Sequence, residues 1–327
     1  MNSLPHPELS PLLRSHLESA IDWKRLRVFA MVAETGSFTR AGLNLNLSQS
    51  AVSRQISSLE TTLKMPLFHR HQDGIGLTDA GADFYKEVRF CFDRLTLALR
   101  RVNEHREKPE GPLRITTTVA FGSGWLGSRM HKFHARCPDI AASLHLVDNV
   151  ELDLFRGEAD VAIRFQTPIQ PRLMQRYLMT MRYHVFASKE YLDRHGTPQS
   201  AADLADNQII AYGENTGSPV TNVDWLLSAG TSPDRPRAPA LRINSVYGIY
   251  RAVRSGLGIA ALPYYLSEEG ADLVEILPEL TGPSFDVFFV YLEELRHSKR
   301  IAALRDFFVA EAAEYKAKIE SLPRRSD

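Results

Sequence analysis

Residues 37 to 63, SFTRAGLNLNLSQSAVSRQISSLETTL, restrict what this chain can fold into more than any other stretch. An apolar helix face ends near Leu43, a short turn follows, and a second helix opens at Ser48. That second helix places Val52, Ile56, Leu59 and Leu63 on one face, at i, i+4, i+7 and i+11. Its other face carries Gln49, Ser50, Ser53 and Arg54. Short polar side chains at a helix start can reach base edges in a major groove. The helix pattern alone suits an ordinary surface hairpin equally well, so the flanks decide. Upstream, Asp22 caps a first helix with the apolar stripe Leu26, Phe29, Ala30, Ala33 and Phe38. Downstream, Pro66-Leu67-Phe68-His69-Arg70, a polar stretch to Gly76 and Leu77-Thr78-Asp79-Ala80-Gly81 predict a two-stranded wing, with Thr78 opening the next helix.

GSFTRAG, LSQSAVSRQISSLE, PLFHR and LTDAG, in this order and spacing, resemble the winged helix-turn-helix of LysR-type transcriptional regulators. The resemblance implies that Gln49, Ser50, Ser53 and Arg54 touch bases and that Arg40 and Arg70 touch phosphates. Three positions depart from the family pattern. Asp73 stands in the wing where many members carry a basic residue, Lys64 replaces a usual glycine, and Gly42 replaces a usual alanine. Over the whole chain acidic and basic residues balance, 39 against 39, so no global positive field draws it to nucleic acid. Between Asp22 and Thr78, however, Lys24, Arg25, Arg27, Arg40, Arg54, Lys64 and Arg70 outnumber Asp22, Glu34, Glu60 and Asp73. That is a modest phosphate-binding surface, suited to a module that works as a dimer.

From Ala80 to about Arg106 one long helix repeats Phe84, Val88, Cys91, Phe92, Leu95, Leu99 and Val102 at spacings of three and four. Its length predicts a dimer seam, with packing on its own domain as the alternative. Pro109-Glu110-Gly111-Pro112 breaks it. Strands and helices then alternate, which predicts parallel α/β sheets. Strands are expected at LRITTTVA, ASLHLV, DVAIRF, YHVFAS, QIIAY, IAALP and FDVFFVYL. Helices are expected over 125–137, 150–156, 188–195, 246–255 and 298–317. GPLRIT, HARCPDI, LFRGEADVAIR, VFASKEYL, RAVRSGLGIAALP and RIAALRDFF resemble the LysR effector domain, which is similar to a periplasmic binding protein.

The predicted organisation is α/β overall. An extension (1–20) precedes a winged helix-turn-helix (21–79), a linker helix and hinge (80–110), an effector domain (111–318) and a tail (319–327). The effector domain comprises subdomain I (111–182 and 283–318) and subdomain II (183–282). By the resemblance, its cleft is faced by Thr117, Thr118, Val119, Ala120, Phe121, Asp148, Asn149, Arg164, Ser245, Val246, Leu262 and Pro263. Helix starts near Phe121 and Ser245, with Arg164, suit a carboxylate, so the expected effector is an organic acid or an amino-acid-like metabolite. The resemblance also implies promoter DNA, a homodimer or homotetramer, and RNA polymerase as a further partner.

Other function classes leave weaker marks. Gly122-Ser123-Gly124-Trp125-Leu126-Gly127 is a formal GxGxxG after a strand, with Asp148 beyond the next strand, so a dinucleotide-sensing winged-helix repressor stands as the alternative. Trp125 is bulky for close approach to a pyrophosphate, and Trp125-Leu126 suits the subgroup resembling the glycine-cleavage activator. His131, His134 and Cys137 share a helix face without an evident fourth zinc ligand. No GxSxG, HExxH or P-loop occurs, so no enzyme, metal or cofactor is predicted. With only Cys91 and Cys137, no disulfide framework is expected. No apolar run spans a membrane and no signal peptide opens the chain, which predicts a cytoplasmic, nucleoid-associated protein.

Overall fold

Three capped helices build the first unit. Asp22, Ser37 and Ser48 have extended backbones, and their side chains accept the N–H groups of Lys24, Arg40 and Ala51. Each therefore satisfies a donor that the helix it starts would leave unpaired. The helices are α1 (Trp23–Thr35), α2 (Phe38–Leu45) and α3 (Gln49–Leu63). The wing follows as β1 (Phe68–His71) and β2 (Gly74–Leu77), antiparallel, and then α4 (Asp79–Asn103). The computed structural model describes residues 22–71, 74–103, 108–148, 151–166, 170–213, 220–231, 235–270, 272–280 and 282–321. It divides into two units, one ending at Thr96 and one beginning at Leu97. The N-terminal extension, Asp73 and Arg106 lie outside the described residues, as do the tail residues beyond Ser321.

Val28, Phe29, Val32, Phe38, Ala41, Val52, Ile56, Leu59, Leu67, Phe68 and Val88 form the buried core of this unit. Phe38 belongs to α2 and not to the first helix, because Gly36 turns the chain in the left-handed region at φ 60°. Two motif residues act through geometry. Thr78 donates its hydroxyl to the Pro66 carbonyl at 2.9 Å and accepts the Gly81 N–H at 2.9 Å, so it caps α4 and ties it to the wing. A Cβ on Gly81 would lie 2.0 Å from the Leu67 carbonyl oxygen, so only glycine lets α4 pass this close to β1. Glu60 accepts the N–H groups of Leu67 (2.8 Å) and Phe68 (3.2 Å) on one carboxylate oxygen, fixing the wing to α3. Along α4, Phe84, Tyr85, Val88 and Phe92 pack on this core, while Phe90, Leu95 and Leu99 stay exposed.

The second unit contains β3 (Gly111–Thr117), α5 (Met130–Arg136), β4 (Ile140–Leu146), β5 (Val161–Arg164), β6 (Leu173–Ser188) and α6 (Lys189–His195). After these come β7 (Ile210–Tyr212), β8 (Leu241–Ile243), α7 (Val246–Arg254), β9 (Ala260–Pro263), β10 (Leu273–Ile276), β11 (Ser284–Leu292) and α8 (Lys299–Ser321). The main sheet runs β10-β6-β11-β5-β3-β4, with β9 also on β6. Purely parallel sheets are not what forms. β3 is parallel to β4 and β5, but β11 is antiparallel to β5 and β6, and β6 is antiparallel to β9 and β10. The cause is the 16-residue β6, which pairs with β11 through Arg182 and with β9 from Tyr183 onward. Its first half, with Met174, Gln175, Arg176 and Tyr177 exposed, lacks the continuous apolar run that marks a buried strand.

The helix expected over 150–156 is absent from its described part; Leu154–Gly157 form a turn. Asp153 accepts the N–H groups of Phe155 (2.8 Å) and Arg156 (3.3 Å), which gives this backbone an alternative to helical bonding. The segment expected as a helix from Trp125 starts earlier, with a π-helical turn over Phe121–Leu126 before α5.

Two substitutions test the packing of the first unit. Lys64 ends α3 in the left-handed region at φ 55°, so Lys64→Gly should stabilise the unit by about 1 kcal/mol in denaturant titration. Gly81→Ala should destabilise it by roughly 1–3 kcal/mol in the same assay, since the clash is with backbone.

Candidate functional site: a nucleic-acid face and a cleft

On α3 the sequence pattern separates two faces. Val52, Ile56 and Leu59 are buried, while Gln49, Ser50 and Arg54 are exposed and Ser53 is half-exposed. The Ser48 and Ser50 hydroxyls lie 3.1 Å apart, and Arg54 donates Nε to the Ser50 carbonyl at 3.4 Å. Arg54 has no carboxylate partner among the described residues, and the same holds for the exposed Arg40 near the start of α2. Arg89 differs: it donates to Glu34 at 2.6 Å and to Tyr85 at 3.0 Å, and those bonds raise its pKa, the Tyr85 bond foremost. Arg40 and Arg54 thus keep their charge available for an external anion. Arg70 lies on β1, but its side chain is outside the described residues.

The second unit contains a small, half-open cleft lined by Thr118, Ala120, Asp148, Phe165, Tyr183, Tyr212, Val220, Val246, Pro263, Tyr265 and Phe285. Thr118, Ala120, Asp148, Val246 and Pro263 were expected there from the sequence. Val119 contributes only its N–H, which donates to Asp148 Oδ1 at 2.9 Å. Phe121 is buried, stacked on Trp125 at 5.0 Å and set edge-on to Tyr265. Thr117 is buried, its hydroxyl with no partner among the described residues, Leu262 is core, and Ser245 caps α7 by accepting the Gly248 N–H. Arg164 does not line the cleft; its guanidinium pairs with Glu151. Asn149 lies outside the described residues.

The lining residues that sequence reasoning missed are mostly aromatic: Phe165, Tyr183, Tyr212, Tyr265 and Phe285, with Val220. Tyr183 and Tyr212 are almost fully buried, and no hydrogen bond to either hydroxyl occurs among the described residues. Burial, followed by electrostatic interaction with the Tyr212 phenol and with Asp148 and Asp224, raises the Tyr183 pKa. Burial, followed by Asp148, raises that of Tyr212. Both phenols are therefore neutral near pH 7 and can donate and accept.

The formal GxGxxG has a packing role. Phe121, Gly122, Gly124, Trp125 and Leu126 are all buried, and a Cβ on Gly122 would lie 2.1 Å from Leu146 Cδ2. A buried turn of this kind offers no cradle for a pyrophosphate, which needs exposed backbone N–H groups. His131 Nδ1 sits 2.9 Å from the Ser128 carbonyl. Among the described residues no three His, Cys, Asp or Glu side chains converge as metal ligands. Cys91 and Cys137 are unpaired. No described helix is long and apolar enough to cross a membrane.

Residues 23–82 match the bacterial regulatory helix-turn-helix protein model of the lysR family, and residues 106–313 match the LysR substrate binding domain. An HTH-type transcriptional regulator of Xanthomonas campestris pv. campestris is 32% identical over 286 residues, covering 86% of this chain and 83% of that protein. The HTH-type transcriptional regulator CrgA of Neisseria meningitidis serogroup C is 31% identical, covering 88% of this chain and 96% of that protein. A solved structure of CrgA from Neisseria meningitidis superposes with a TM-score of 0.55 at 29% identity, over 89% of this chain and 99% of that one.

Asp148→Asn keeps an acceptor for the Val119 N–H but removes the charge, so the Tyr212 phenol should titrate at lower pH than in the native protein. Ultraviolet titration of tyrosinate measures this; an unmoved Tyr212 transition would dissociate Asp148 from the cleft electrostatics.

Proposed function

The chain belongs to the LysR family of DNA-binding transcriptional regulators, with an effector-binding domain behind the helix-turn-helix, and we propose from that premise which residues carry its two binding events. The DNA contacts assigned are Gln49, Ser50, Ser53 and Arg54 to bases, with Arg40 and Arg70 to phosphates. The observation that carries this reading is the exposed face of α3, where Arg54 stands with no carboxylate partner among the described residues. A guanidinium bidentate to guanine is the commonest specific contact of this geometry.

Dimerisation through α4 supports two such heads on one operator. Phe90, Leu95 and Leu99 are 60%, 43% and 59% exposed on a 25-residue helix, an apolar stripe that the first unit's own core leaves uncovered. A homotetramer, an interaction with RNA polymerase and a cytoplasmic, nucleoid-bound location accompany this reading. The protein acts by binding and not by catalysis, in keeping with relatives named as regulators. The subgroup likeness to the glycine-cleavage activator rests on Trp125-Leu126, whose place here is in the core.

The effector is a small metabolite held in the cleft around Thr118 and Asp148; of the two classes expected, the amino-acid-like one is favoured, since Arg164, expected to receive an organic acid, is paired with Glu151. A ligand resets DNA binding only through its different affinity for two arrangements of the protein. The aromatic cleft, with two phenols that have no hydrogen-bond partner among the described residues, supports a sensing role over a purely structural one.

Arg54→Ala should weaken operator binding by about 1–3 kcal/mol in a mobility-shift titration and leave scrambled DNA nearly unaffected. Equal losses on both sequences would reduce Arg54 to a phosphate contact. Leu95→Asp should dissociate the dimer in sedimentation velocity, and an intact oligomer would remove α4 as the seam. Thr118→Phe should fill the cleft and abolish the effector response of a promoter reporter; a response equal to wild type would favour a scaffold.

A further inference from the structure

The charges around the cleft decide what it accepts. Asp148 is the single acidic or basic side chain among its described lining residues. One Asp148 oxygen accepts the Val119 N–H, and the other has no donor among the described residues. The cation expected from the sequence to receive a carboxylate, Arg164, is paired with Glu151. A ligand anion entering this space would therefore face a carboxylate and no cation among the described lining residues. A ligand cation would meet that carboxylate, the neutral hydroxyls of Tyr183 and Tyr212 as acceptors, and the ring faces of Phe165, Tyr265 and Phe285. A carboxylate within an aromatic box is the chemistry that recognises organic ammonium groups.

The rings also choose the body of the ligand. Phe121, Phe165 and Phe285 form a chain of edge-on contacts, with Phe121–Phe165 and Phe165–Phe285 both 5.5 Å between centroids, and Tyr183 lies 5.6 Å from Phe285. Such a wall accepts a further planar ring in a stacked or edge-on arrangement.

We propose, on the reading above that this cleft is the effector site, that its ligand is an aromatic ammonium compound whose protonated amine pairs with Asp148 between Tyr183 and Tyr212. Aromatic amines and aromatic amino acids share this chemistry. An amino acid would add a carboxylate, which the start of α7 at Val246 can receive from its N-terminal N–H groups.

The test is calorimetric titration of the full-length protein with 2-phenylethylamine, phenylalanine and phenylacetate, which share a ring and differ in charge. The proposal expects one or both ammonium probes to bind and phenylacetate to bind at least about tenfold more weakly than the better of them. Asp148→Asn, checked for native thermal unfolding, should weaken the ammonium probes by about tenfold or more while leaving the Val119 N–H an acceptor. Tyr212→Phe keeps the ring, removes one acceptor, and should also weaken them, which serves as the readout if Asp148→Asn fails to fold. Phenylacetate binding more tightly than both amines, or amine binding unchanged in the folded Asp148→Asn protein, overturns the ammonium assignment and leaves the effector cleft standing. If no probe binds and Thr118→Phe also responds as wild type in the reporter, the effector reading falls together with this one.

Discussion

The antiparallel pairing of β6 with β11 is the constraint from which the effector half follows. β6 gives its first half to β11 and its second half to β9 and β10, and the change falls between Arg182 and Tyr183. The cleft lies beside that change of partner. Tyr183 and its strand partner Pro263 line the crevice, and Phe285, near the start of β11, joins them. Gly282 marks how tightly the crossing is drawn: a Cβ there would lie 2.5 Å from the Tyr183 carbonyl and 2.9 Å from the Trp225 ring. Of the aromatic lining residues, Tyr183 stands at the change of partner and Phe285 near the start of β11, while Phe165, Tyr212 and Tyr265 come from other elements.

The first unit depends on close backbone approach in the same way. Gly81 lets α4 pass against Leu67, Thr78 bonds to both sides of the junction, and Glu60 ties α3 to the start of the wing. These contacts hold the wing and α3 as one rigid surface. That matters because base contacts discriminate only when side chains are held in register by the scaffold behind them. Gly42 fits this pattern too: a Cβ there would lie 2.6 Å from the Leu47 carbonyl, so its effect reaches beyond helix propensity to the packing of the turn itself.

Legibility varied with the range of the signal. The helices of the first unit were readable because caps, apolar period and turn residues all lie within a few positions of one another; Phe38 was misplaced by the turn at Gly36. The strands of the second unit were readable where they are apolar. They were missed where one face is solvated, as in the first half of β6, or where the strand is short, as in β8 and β10. The segment after Glu151 misled because an Asp153 side chain competes with helical bonding, an effect that periodicity does not register.

From sequence alone came the order of the parts, the winged helix-turn-helix and the exposed polar face of α3, since each is encoded by local spacing or by motif; Thr118, Asp148 and Pro263, which line the cleft, were expected there only from the family resemblance. Tertiary structure alone decided that the sheet is mixed, that the GxGxxG turn is buried packing, and that Arg164 is held by Glu151. It also decided that Phe165, Tyr183, Tyr212, Tyr265 and Phe285 converge on one space. Those five residues sit on separate elements with no shared period, so their proximity is a product of tertiary packing. The chemistry of the cleft is non-local for that reason, whereas the exposed polar face of α3 lies on a single continuous segment.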